Sequence, residues 1–96
     1  MDRAAILAKA AECVTGRRET DHGRPEDTFR RIADLWEAYT GHHYTSIDVA
    51  MMMTLLKVAR TKGAGCLDNF IDIAGYAACA GEIYDKATKM MEVEIE

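Results

Sequence analysis

The sequence predicts an all-α fold, a compact four-helix arrangement with a long C-terminal helix. Apolar residues recur at helical spacing in four segments. The glycines Gly16, Gly23, Gly41, Gly63 and Gly65 and the only proline, Pro25, fall at the junctions between them. No segment alternates as a strand does, and no internal repeat is visible. At 96 residues a single core is the norm, so one helical domain over 1–96 is expected, with 92–96 frayed.

The first helix is expected from about Asp2 to Thr15, with Ile6, Leu7, Ala10, Ala11 and Val14 on one stripe and Gly16 as its stop. The second begins near Pro25, a residue suited to a first turn, followed by Glu26 and Asp27, which suit the helix dipole. Its stripe is Phe29, Ile32, Ala33, Trp36 and Tyr39, and it ends before Gly41. The third starts at Thr45 or Ser46, where Thr45-x-x-Asp48 resembles a capping box. From Val49 to Leu56 it is apolar nearly all round, which marks it as the central helix. The fourth runs from Leu67 or Asp68 to about Glu92, ~38 Å against ~24 Å for the second. Met90, Met91, Val93 and Ile95 then extend beyond any partner, and either oligomerisation through this end or fraying would deal with them.

Apolar residues make up 49% of the chain and charged ones 29%, a balance that excludes intrinsic disorder as the main state. The longest uninterrupted apolar run is Val49 to Met53, too short to span a bilayer, so no membrane is expected. Met1 to Ile6 lacks the apolar core of a signal peptide, which points to the cytoplasm. The net charge of −4 argues against binding a nucleic-acid polymer but leaves room for a small phosphate-bearing ligand. Cys13, Cys66 and Cys79, without CxxC spacing, read as reduced thiols buried as small hydrophobes rather than as zinc ligands.

The fourth helix holds the most informative pattern. Asp68, Asp72, Gly75, Cys79 and Glu82 share one face, and Phe70, Ile73, Ala77, Ala80 and Tyr84, on the opposite face, are expected in the core. An acidic stripe of this kind is equally a solvated surface. Gly75, however, costs ~1 kcal/mol relative to alanine in a helix interior, which suggests that a helix or a ligand approaches the backbone there. Carboxylates at i and i+4, Asp68 and Asp72, have the geometry to hold Mg²⁺ together with phosphates. Asp48 is a possible third ligand, though a cap explains it better.

Lys57 and Arg60, one turn apart on the third helix, form a cationic pair able to bind phosphate, and Lys62 follows. The same residues also suit the C-terminal end of a helix dipole. In the loop from Gly16 to Pro25, Arg17, Arg18, His22 and Arg24 could form an anion-binding rim or simply be solvated. The adjacent His42 and His43 suit a surface rather than a metal. No nucleophile elbow, Walker loop, HExxH or Cys-His arrangement is present.

Two resemblances follow from these residues. Gly16-x-Arg18, His22-Gly23-x-Pro25-x-x-x-Phe29-x-x-Ile32-Ala33-x-Leu35-Trp36, Asp48-Val49-Ala50 through Ala59-Arg60, and Asp68-Asn69-x-Ile71-Asp72-x-Ala74-Gly75-Tyr76-Ala77 resemble a family of small uncharacterised phage and prophage proteins. The resemblance covers roughly residues 5 to 84, and His22 stands where the family usually has tyrosine. More distantly, Asp68-x-x-x-Asp72 looks like the second acidic motif of the all-α MazG-type nucleotide pyrophosphohydrolases, whose Glu-Glu-x-x-Glu motif is absent here. The residues and the resemblances together leave three functions open. One is a homo-oligomeric phage protein, in the host cytoplasm, that sequesters a nucleotide, including the cyclic or ADP-ribose-type signals of host defence. The second is a Mg²⁺-dependent pyrophosphohydrolase, with Asp68, Asp72 and Asp48 on the metal and Lys57 and Arg60 on the phosphates. The third is a helical adaptor that docks a protein on its Met-rich third helix or at Met90-Met91.

Overall fold

The computed structural model describes residues 1–16, 23–63 and 66–95, with side chains through residue 91. Among the described residues four helices follow one another, α1 (Arg3–Val14), α2 (Pro25–Thr40), α3 (Ser46–Arg60) and α4 (Leu67–Ile95), and there is no strand.

Local chemistry sets the ends. The Asp2 carboxylate accepts from the Ala5 amide at 2.8 Å and starts α1. Gly41, in the left-handed region at φ 81°, donates its amide to the Glu37 carbonyl at 2.8 Å and stops α2. The capping box of α3 is reciprocal: the Asp48 amide donates to the Thr45 hydroxyl at 3.0 Å, and the Thr45 amide donates to the Asp48 carboxylate at 2.9 Å. Thr45→Ala leaves one of these donors without its acceptor. It is expected to cost about 1 kcal/mol, a fall of roughly 4–8 °C in Tm by calorimetry, while Thr45→Ser leaves Tm almost unchanged.

The hub of the fold is α4, which packs against α1, α2 and α3, whereas α3 packs against α2 and α4. The expectation that α3 is central is therefore corrected. Val49 and Ala50 are fully buried, but Met51, Met52, Leu55, Leu56 and Val58 on the same helix are exposed. The core joins Phe29 and Ala33 of α2, Val49 and Ala50 of α3, and Ala80 of α4, with Trp36, Tyr44 and Met53 packed around them.

The two faces of α4 are also the reverse of the expectation. Phe70, Ala77 and Tyr84 are exposed, Ile73 is half-buried, and only Ala80 of that set is core. The face inward is the one carrying Asp72, Gly75 and Cys79. Small residues decide this. A Cβ on Gly75 would stand 3.2 Å from Cγ1 of Val14, so α1 rests on α4 where the glycine leaves room. Tyr39, Leu7 and Cys66, expected inside, are likewise exposed.

Candidate functional site

A cavity of about 310 Å³ opens between the C-terminal end of α1, the start of α2 and the middle of α4. Cys13 and Val14 come from α1, Gly23 and Pro25 from the entry to α2, and Thr28 and Phe29 from its first turns. Ile71, Asp72, Gly75, Tyr76 and Cys79 line it from α4. The volume is at the lower end for small-molecule sites. Spacings of 4 and 4 along Ile71, Gly75 and Cys79, and of 4 and 3 along Asp72, Tyr76 and Cys79, turn one helical face to it.

Each wall has a local cause. The absence of a Cβ at Gly75 keeps the floor open beside Val14. Phe29 and Tyr76 meet with ring centroids 6.1 Å apart and planes tilted by 43°, a contact within the preferred range for aromatic pairs. That places an aromatic edge beside the carboxylate of Asp72, the one acid among the lining residues.

Asp72 is held by Lys57 of α3, whose Nζ lies 3.1 Å from its Oδ2. The two side chains are 27% and 16% exposed, so neither is fully hydrated and each needs the other. One turn further, the buried Asn69 donates its side-chain amide to the Arg60 carbonyl at 3.1 Å, covering an orphan carbonyl at the end of α3. These two contacts fix α3 against α4 in antiparallel register.

The candidate residues from the sequence separate into groups. Lys57 and Asp72 are brought together at the wall of the cavity. Arg60 and Asp68 are exposed. Asp48 is spent on the cap of α3, nine residues along that helix from Lys57, ~13 Å away at 1.5 Å per residue. Asp48, Asp68 and Asp72 therefore do not converge, and among the described residues no group of three His, Cys, Asp or Glu could hold a metal ion. Arg24 borders the cavity through its neighbours Gly23 and Pro25, and its guanidinium pairs with Glu26 and, at 3.6 Å, with Asp27. Arg17, Arg18 and His22 lie outside the described residues.

Sequence reasoning did not select Cys13, Thr28, Phe29 or Tyr76 as site residues. Phe29 read only as part of the apolar stripe of the second helix and Tyr76 only as part of a motif, yet both touch the core and the cavity. Opposite the cavity's α2 wall, Lys86 of α4 reaches Glu82 at 3.2 Å and Glu26 at 3.4 Å. Hydrogen bonds to Glu82 and then Glu26 raise its pKa above the ordinary lysine value.

Residues 5–84 match the model of a family described as a domain of unknown function, DUF6378, and the chain belongs to that family. Its relatives are phage proteins. The chain is 41% identical over 83 residues to the Gene 55 protein of Mycobacterium phage D29, covering 85% of this chain and 55% of that protein. It is 47% identical over 75 residues to the Gene 55 protein of Mycobacterium phage L5, covering 76% and 48%. The chain thus spans about half the length of the curated relatives it matches. No solved structure matches it. Among the described residues no helix is long and apolar enough to cross a membrane.

Proposed function

We propose that this phage-family protein binds a small nucleotide in the cavity between α1, α2 and α4 and holds it without chemical change. The cavity itself carries the reading: it is the right size for a nucleobase and its sugar, with one aromatic edge and one carboxylate. A base stacks on Phe29 or Tyr76, and Asp72 accepts a hydrogen bond from a ring or exocyclic N–H. For the phosphates, Arg24 stands at the entry to α2, and Arg17, Arg18 and His22, which precede it in the sequence, are the further candidates. Cyclic and ADP-ribose-type nucleotides, the signals of host defence, belong to the same chemical class.

The hydrolase reading draws less support. In-line attack on a phosphoanhydride needs a metal held by several carboxylates. Asp48 is engaged by the Thr45 amide at the far end of α3, and among the described residues no three His, Cys, Asp or Glu converge. The residues present do not suit a Mg²⁺ site of the MazG type.

A thermal-shift panel of linear and cyclic nucleotides, with and without Mg²⁺ and followed by chromatography, tests the proposal. A ligand at a hundred times its Kd adds about 2.7 kcal/mol, on the order of 10 °C in Tm for a domain of this size. The expected result is such a shift, with the nucleotide recovered intact and the shift lost in Arg17→Ala/Arg18→Ala. Release of pyrophosphate or monophosphate would refute it in favour of the hydrolase, and a flat panel would favour the adaptor.

A further inference from the structure

We propose that an uncharged face shared by α3 and α4 is the docking surface for a second copy of this chain. On α4, Phe70, Ala77, Tyr84 and Met91 repeat every seven residues, and all four are exposed. A seven-residue apolar repeat is the pattern of a helix that meets another helix along its length. The spaces between them on the same side are filled by Ala74, Gly81 and Thr88, so the stripe runs ~31 Å without a charge.

The face continues onto α3. Lys57 pairs with Asp72 of α4, and Val49 and Ala50 sit in the core shared with α2 and α4, with Met53 packed against it. Turning past α4 and away from α2, helical phase brings up Met51, Leu55 and Val58, which are exposed. The antiparallel register set by Lys57–Asp72 and Arg60–Asn69 puts these three level with the Phe70–Ala77 part of the stripe.

Two observations commit the occupant to another copy. At the exposures of Phe70, Tyr84, Met91, Met51, Leu55 and Val58, these residues present on the order of 700 Å², close to the ~800 Å² that each partner of a stable complex buries. That is larger than the apolar patches monomers usually show. Among the described residues, Val49 is the one large side chain that is fully buried, so the single-chain core is thin.

Gly81 adds an independent sign. It lies inside a helix, where glycine costs stability, and a Cβ there would meet nothing of its own chain within 4 Å. Close packing within one chain does not require this glycine; close approach by a second helix does. An isologous pair, each copy offering the same face, answers all of these observations. This surface lies on the far side of α4 from the cavity, so the proposal stands independently of the nucleotide.

Sedimentation equilibrium of the full chain, with Leu55→Glu and Ala77→Glu, tests it. The wild-type protein is expected at twice the mass of one chain, and both variants at the mass of one. Tyr39→Glu, on the exposed face of α2, is the control expected to remain paired. Should a glutamate variant lose its helical circular dichroism, Tyr84→Ser is measured instead. Tyr84 is 66% exposed in the single chain, and the variant's association constant is expected to fall at least about tenfold. A wild-type chain that stays monomeric up to about 0.1 mM overturns the proposal, as do variants that pair like the wild type.

Discussion

Gly75→Leu is expected to close the cavity and push α1 off α4, lowering ligand affinity at least about 100-fold. Even a single added Cβ would sit 3.2 Å from Val14 Cγ1. A leucine sends three more carbons into the same gap, or into the cavity that Gly75 floors. Overpacking of this kind costs about 1–3 kcal/mol, and improved helix propensity offsets up to about 1 kcal/mol. A fall in Tm of up to about 15 °C follows. Gly75→Ala separates the two effects. Val14 is half-buried at the last turn of α1 and yields by a few tenths of an ångström, so alanine should be close to neutral for stability. Adding Val14→Ala to Gly75→Leu should recover much of the stability and little of the binding. Calorimetry with ligand titration checks both, and undiminished affinity in Gly75→Leu would remove the cavity from the account.

The second large effect is expected at Lys57. Replacing it with methionine keeps most of the stem but leaves the Asp72 carboxylate, 27% exposed, without its cation. Exposed ion pairs contribute about 0–1 kcal/mol, and stripping one partner from a buried pair costs about 3–5 kcal/mol. This half-buried pair falls between, at about 2 kcal/mol, or on the order of 10 °C in Tm. Lys57→Met with Asp72→Leu should restore most of that loss, because two apolar groups then replace two charges. The coupling in a double-mutant cycle is the quantity to measure. A coupling below about 0.5 kcal/mol would show that the contact contributes only as a surface pair does.

Much of the fold was legible because helix ends are written locally. Thr45 with Asp48, Pro25 with Glu26 and Asp27, and Gly41 are each read within four residues. Which face of α4 turns inward was not legible. Phe70 and Tyr84 carry far larger apolar bodies than Asp72, Gly75 and Cys79, so side-chain size and helical spacing assign them to the core. Packing within one chain follows instead the small residues that let α1 approach and the lysine that neutralises Asp72. That lysine is fifteen residues away in sequence and becomes a neighbour only when α3 and α4 pair. The cost of a mid-helix glycine did point to Gly75 as a place of close approach, and Val14 of α1 occupies it. The aromatic edge of the cavity was hidden for a different reason: Phe29 and Tyr76 serve the core and the site at once.

Nuclear magnetic resonance of the labelled full chain, titrated with the nucleotide that gives the largest thermal shift, tests the central claim most directly. The amide signals of Cys13, Thr28, Phe29, Asp72, Tyr76 and Cys79 are expected to move together and saturate at one ligand per chain. Perturbations confined to Met51, Leu55, Phe70 and Tyr84, with the cavity residues unmoved, would contradict it.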